Sequence, residues 1–312
     1  MKLSLVVPCY NEAENVAAFQ DAVIAAFAGC GFDYEIVFVN DGSRDATLHN
    51  LKKLYHAQKC PVKVISFSRN FGKESGIYAG MEHADGEYIS LIDADLQQRP
   101  EIVLDMVKIL DEKPDCDVVA AYQDRRGEGK LLSFFKKRFY SIINHLSDVN
   151  LHSDASDFRT FRRSVRDSLL DLVEYHRFSK GLFAWVGYET EFIPYTACER
   201  HAGTTKWSFR KLMNYAIEGI IGFSTKPLRY SIYIGSFTAV AAIFYLLWVI
   251  VEKLFWGIDV PGYATLIVLT LLLGSVQLFC IGNIGEYVGR TFEQSKDRPI
   301  YVAKEILKPN NE

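Results

Sequence analysis

Over the first 120 residues, short runs of large apolar and β-branched residues alternate with stretches whose apolar positions recur at helical spacing. Strands are predicted at Leu3–Val7, Tyr34–Asn40 and Val62–Phe67, at a buried run from Glu87 that ends in Asp93-Ala94-Asp95, and at Cys116–Ala121. Between them, helices are predicted to about Phe27, after Asp45, through a small-residue stretch to about His83, and from Pro100 to Leu110. Strict alternation of strand and helix implies an α/β fold, a mostly parallel sheet covered on both faces.

Beyond Gln123 the pattern changes. A charged loop, Asp124 to Lys130, leads into a helix with Leu131, Phe135, Phe139, Ile142, Ile143 and Leu146 on one side and Lys136, Lys137 and Arg138 on the other. That suits either a helix at an anionic lipid surface or one packed on the sheet. A second amphipathic stretch follows Trp207 and runs to about Ile221. Two uncharged runs, about 230–251 and 264–284, are long enough to cross a bilayer as a helical hairpin. The expected organisation is a head over residues 1–225, a two-helix membrane segment over 226–290 and a tail over 291–312.

Composition and charge sharpen this picture. A formal net charge of -3 over 312 residues leaves no electrostatic footprint for nucleic acid. The 6 cysteines are scattered without zinc or redox spacing and read as reduced thiols, which suits a cytoplasmic head. Lys226 and Arg229 precede the first span and Arg290, Lys296, Arg298 and Lys304 follow the second, whereas the intervening loop has Lys253 alone, so both termini are expected in the cytoplasm. The N-terminus has no room for the apolar core of a signal peptide, so no cleaved segment is expected. Gln277, Asn283 and Glu286, in or near the second span, suit packing between helices or contact with a second subunit.

Candidate chemistry gathers where the predicted strands end. Asp93 and Asp95 are hard oxygen ligands two residues apart at a strand's carboxyl end, with Gln97 following, a set that can grip a divalent cation. Asp41 closes the second strand, and Ser43 or Asp45 caps the next helix. Gly72, Lys73 and Gly76 at a helix entrance suit an anion, though not at the spacing of a nucleoside-triphosphate loop. The turn after the first strand, Pro8-Cys9-Tyr10-Asn11-Glu12, lacks Gly-x-Gly-x-x-Gly, which counts against a dehydrogenase.

Taken together, Pro8-Cys9-Tyr10-Asn11-Glu12, Asp41-Gly42-Ser43, Asp93-Ala94-Asp95-Leu96-Gln97, Arg69-Asn70-Phe71-Gly72-Lys73, Ser156-Asp157-Phe158-Arg159, Arg200-x-x-Gly203-x-x-Lys206 and Gly285-Glu286-Tyr287-Val288-Gly289-Arg290 resemble the inverting family 2 glycosyltransferases of GT-A fold. Within these the chain is similar to polyprenyl-phosphate glycosyltransferases of the bactoprenol glucosyltransferase type, related to dolichol-phosphate mannose synthases. Cys9 departs from the family's usual β-branched or small residue, with an effect expected on packing only.

The resemblance implies transfer of a hexose, glucose by analogy, from a UDP-sugar to undecaprenyl or another polyprenyl phosphate. It implies that Pro8, Tyr10, Glu12, Asp41, Lys73, Asp93, Arg200 and Lys206 bind the nucleotide sugar, with Asp41 accepting from the uracil imide. Asp93, Asp95 and Gln97 would ligate Mg2+ or Mn2+; Arg125, Lys130 and Arg138 would hold the acceptor phosphate. Asp157 stands in the position of the catalytic base, yet a phosphate monoester with a second pKa near 6 hardly needs one, so Asp157 alternatively orients a basic residue or the sugar. The implied setting is the inner (plasma) membrane, multi-pass, with a cytoplasmic head and a homo-oligomeric assembly. A GDP-mannose-dependent synthase is the alternative donor reading. A processive polysaccharide synthase would add Gln-x-x-Arg-Trp and more spans, neither of which the sequence has. An inactive membrane scaffold would make no use of Asp93, Asp95 and Arg200.

Overall fold

The computed structural model describes residues 1–123, 155–196, 198, 219, 221–255 and 262–309. Its centre is a sheet whose strands are β1 (Leu3–Cys9), β2 (Tyr34–Asn40), β3 (Val62–Phe67), β4 (Tyr88–Leu91), β5 (Val118–Gln123), β6 (Ala155–Arg162), β7 (Thr190–Tyr195) and β8 (Ala303–Leu307). They lie in the order β7-β5-β6-β4-β1-β2-β3-β8. β4, β1, β2 and β3 run parallel, β7 runs parallel to β5, and β6 and β8 pair antiparallel to their neighbours. This is the GT-A architecture expected from the sequence.

Side chains alternate across the sheet, as the period of a strand requires. Leu3, Leu5, Val7 and Cys9 of β1 join one buried cluster with α1 (Val16–Ala26), α2 (Thr47–Ala57) and α4 (Glu101–Glu112). Val6 joins the opposite cluster with α3 (Lys73–Glu82), α5 (Arg163–Leu170) and α6 (Ser179–Val186). The small residues of α3 have a direct use. A Cβ added at Gly80 would stand 2.2 Å from a methyl of Val6, so only glycine lets α3 lie this close over β1. Close approach brings the amino end of α3 to the strand ends.

The strand order reverses between β1 and β4, and in such sheets ligands bind in the crevice at the carboxyl ends beside that point. The turns after β1, β2, β3 and β4 open at that carboxyl edge. β6 delivers a further residue to this edge because it is antiparallel: Leu91 pairs with Arg159, so two more residues along the same register set 157 across from 93.

Two helices, α7 (Lys226–Phe255) and α8 (Tyr263–Ser295), are long and apolar enough to cross a membrane and associate the protein with one. Each extends beyond its uncharged run toward the head. Asn283 is a packing contact between them, its amide donating to Pro227 O and Ser231 Oγ, both at 2.7 Å. Tyr287 Oη donates to Ser224 O at 2.7 Å, and Gln294 at the far end of α8 binds Tyr175 N and Val173 O of the head. The chain then returns to the sheet. β8 pairs with β3, and Tyr301 stacks on Phe67 with ring centroids 4.8 Å apart.

Candidate active site

The first two turns are stitched together. Asn11, with φ +56°, donates its N–H to Ser43 Oγ and accepts from Arg44 N, while Glu12 N donates to Thr47 Oγ1 at 2.9 Å. The N-cap position of α2 is Ala46, neither Ser43 nor Asp45; from one residue further out, Asp45 accepts from Thr47 N at 3.0 Å and from Ala13 N. Pro8 stands within β1 rather than in the turn, paired with Val39, and Tyr10 and Glu12 are half-buried just beyond it. Cys9 lies in the core at 1% exposure, so the departure it represents is one of packing.

Asp41 has a use that its sequence position did not reveal. Its carboxylate accepts from Phe71 N at 2.6 Å, Gly72 N at 3.0 Å and Asn70 Nδ2 at 2.9 Å, and so moors the loop that opens α3. Burial raises its pKa while the two backbone donors lower it. Three donors leave one of a carboxylate's roughly four lone-pair sites for anything further.

At the end of β4, Asp93, Asp95 and Gln97 are all half-buried around buried Ala94, and Leu96 between the last two takes a left-handed φ of +61°. Such a conformation in a non-glycine residue marks a constrained turn. Asp95 Oδ1 accepts from Gln97 N at 3.2 Å. Gln98, not singled out in the sequence, accepts from Asp93 N at 2.9 Å and holds that residue's backbone. Two carboxylates and one amide fit a divalent cation that keeps water and phosphate oxygens in the rest of its shell, as Mg2+ does; among the described residues no third His, Cys, Asp or Glu completes a protein cage.

Lys73 joins the two sides of the cleft. Its ammonium lies 2.8 Å from Asp93 Oδ1 and 3.1 Å from Asp157 Oδ2. Burial works against the charged form, but Asp93 and Asp157 outweigh it and raise the lysine's pKa. Against its own burial, Asp157 is held well below the usual carboxylate range by Lys73, Lys180 and Arg159. Its Oδ1 is buried and accepts no hydrogen bond. Arg159 lies with its guanidinium 4.1 Å from the Phe183 ring centroid and donates to Ser156 O.

Glu74 and Lys180 complete the cluster, and neither stood out in the sequence. Glu74 accepts from Ser179 N at 3.0 Å and from Ser179 Oγ, which fastens the amino end of α6 to that of α3. The available signal was adjacency: a residue next to a site lysine at a helix start shares its surroundings.

Burial, with the Asp157 charge beside it, pushes Glu74 up to about 7 from its ordinary 4.5, against the bonds from Ser179 and the charge of Lys73. Between those values the folded protein holds a proton that the unfolded chain has released. The stabilising contribution is therefore complete below about pH 4.5 and is lost as pH rises through about 7. In Glu74→Gln this dependence should vanish, so the variant should gain on the wild type by on the order of 1–3 kcal/mol between pH 4.5 and 7.5 in thermal unfolding. Parallel pH curves would show that Glu74 titrates as an exposed glutamate does.

Arg125, Lys130, Arg138, Arg200 and Lys206 lie outside the described residues. Cys198 N donates to Gln97 O at 3.1 Å, so the chain passes the Asp95 turn two residues before Arg200.

Residues 4–170 match the family described as Glycosyl transferase family 2, and residues 226–291 match the GtrB C-terminal hairpin. A provisionally assigned glycosyltransferase of Bacillus subtilis, CsbB, is 42% identical over 311 residues, 99% of this chain and 93% of that one. The bactoprenol glucosyl transferase of Shigella phage SfV is 41% identical over 97% of this chain and 98% of its own. The prophage bactoprenol glucosyl transferase homolog of Escherichia coli K12 is 40% identical over 99% and 100%. With its strand-end carboxylates, its Lys73 bridge and its paired apolar helices, the chain belongs to glycosyltransferase family 2, in the group that carries the GtrB-type hairpin.

Proposed function

We propose that the protein transfers glucose from UDP-glucose to a polyprenyl phosphate with inversion, giving a β-linked lipid sugar phosphate. The observation that carries the reading is the Lys73 bridge, which sets Asp93 of the donor side and Asp157 of the acceptor side in one cleft. The names of full-length relatives at about 40% identity supply glucose and bactoprenol. Pro8, Tyr10 and Glu12 would line the nucleoside, and Asp41 would use its remaining lone pair for the uracil imide. Asp93, Asp95 and Gln97 would hold Mg2+ or Mn2+, which when bound neutralises the diphosphate as it leaves. Arg200 and Lys206 would close over the same diphosphate, a fork and a point charge. Arg125, Lys130 and Arg138 would take the acceptor phosphate through charge-assisted bonds.

Asp157 acts here as a positioning group. A carboxylate held below the ordinary range is a weak base at pH 7, and a phosphate monoester is by then largely a dianion that attacks unaided. What Asp157 does supply is a fixed partner for Lys73. Both ends of the hairpin return to the head through Ser224–Tyr287 and Tyr175–Gln294 contacts, which supports placing the head and both termini on one face, the cytoplasmic one by the distribution of basic residues. The head would span residues 1–225 and the membrane segment 226–290, while the tail from 291 would rejoin the head, since its β8 pairs with β3. Gln277, exposed on the apolar surface of α8, is where a second copy in a homo-oligomer would find an amide.

A panel of radiolabelled UDP- and GDP-sugars with undecaprenyl phosphate in detergent tests the reading. Lipid-linked product is expected from UDP-glucose, with inhibition by UDP and not GDP. Product from GDP-mannose alone, or transfer to water-soluble sugars only, would overturn it.

A further inference from the structure

We infer that Lys180 binds the phosphoryl oxygens of the lipid acceptor beside Asp157, an inference that rests on the proposed reaction. Lys180 is the second residue of α6, and that helix is anchored at two points. Phe183, one turn on and therefore on the same side of the helix, packs under the Arg159 guanidinium and edge-on to Phe161 of β6, with ring centroids 5.0 Å apart. Ser179, just before Lys180, is fastened to Glu74. The lysine is thus turned toward the strand that carries Asp157, and its charge interacts with Asp157, Arg159, Lys73 and Glu74.

Charge in this cluster is incompletely matched. Lys180 is half-buried and makes no ion pair within 4 Å among the described residues. Asp157 spends one oxygen on Lys73 and leaves Oδ1 buried without a donor. Burial lowers the pKa of Lys180 even with Asp157 nearby, so the ammonium is short of anionic partners where it stands. A phosphate dianion would supply them, and Lys73 and Arg159 would offset the repulsion from Asp157.

Position separates the acceptor from the donor. The diphosphate belongs with Asp93 and Asp95 at the end of β4, whereas α6 packs on the segment that enters the membrane helix. Phe178 lies 6.2 Å from Phe223, and a Cβ at Gly181 would meet Phe223 at 2.3 Å, three residues before α7 begins at Lys226. Lys180 therefore stands on the side from which a lipid headgroup arrives.

The test uses Lys180→Met and Lys180→Arg in the full-length protein in detergent. The Met variant should raise the KM for polyprenyl phosphate tenfold or more and leave the KM for UDP-glucose within twofold; Arg should restore the acceptor KM to within threefold. Calorimetric titration with a short isoprenyl phosphate, without donor, should show the same loss of affinity. An unchanged acceptor KM, an equal loss for UDP-glucose, or no rescue by Arg would overturn the assignment, and Lys180→Gln carries the same expectation should Met not fold. If the wild type makes no lipid-linked sugar, the proposed reaction falls, and the titration still decides whether Lys180 holds an isoprenyl phosphate.

Discussion

Asp95→Asn is expected to lower the transfer rate by about 10³-fold, or about 4 kcal/mol of transition-state stabilisation, with little change in thermal stability. The side chain is half-buried at the end of β4, outside the apolar clusters, and its Oδ1 accepts from Gln97 N two residues away. An amide keeps that bond but lacks the charge that a divalent cation requires of a site with so few protein ligands. Lys73 is already committed to Asp93 and Asp157, so it offers Asp95 no substitute. Turnover measured with Mg2+ and with Mn2+, beside the unfolding midpoint, would separate the two effects. Wild-type turnover by the variant, or wild-type activity in excess chelator, would show that Asp95 does not serve a metal.

The second large effect is expected from Gly42→Ala, a change of one methyl group. Gly42 has φ +59°, and its added Cβ would lie 2.3 Å from Arg69 C, 2.5 Å from Asn70 N and 2.7 Å from Arg69 O. All three are backbone atoms, so the 69–72 loop must move bodily. That loop is moored to the Asp41 carboxylate by three hydrogen bonds and opens the helix that carries Lys73 and Glu74. We expect a loss of about 3 kcal/mol from the left-handed conformation and the overlap together, with kcat and KM for the nucleotide sugar both impaired. Gly29→Ala is the internal control, because Gly29 also has positive φ, +78°, with nothing within 4 Å of its added Cβ. It should lose about 1 kcal/mol and no activity. Equal behaviour of the two variants would show that conformation alone, and not the approach to the loop, governs Gly42.

Both predictions converge on the loop from Asn70 to Gly72. Asp41 reads in the sequence as a residue waiting for a ligand, and the folded chain uses it first to build the ledge on which Lys73 stands. Its loss would therefore weaken nucleotide binding through two routes at once, and a variant at Asp41 alone cannot identify the base. Competition between UDP and GDP in the wild type avoids that confusion.

By itself the sequence determined the strands β1 to β5 and the helices between them, the two apolar spans and the acids at the strand ends. These are local properties: side-chain period, capping and uninterrupted apolar length are written over a few neighbouring residues. The parallel sheet followed from alternation alone. Tertiary structure decided the rest. Asp157 meets Asp93 because β6 runs antiparallel to β4, a register set by pairing across the sheet and invisible in either segment. Glu74, Gln98 and Lys180 acquire their parts only when α3, the β4 turn and α6 are brought together, since burial and neighbouring charge, not residue type, shift their chemistry. β8 shows the same limit. Its exposures alternate along a short run beyond the membrane helices, and only the open edge of β3 makes a strand of it.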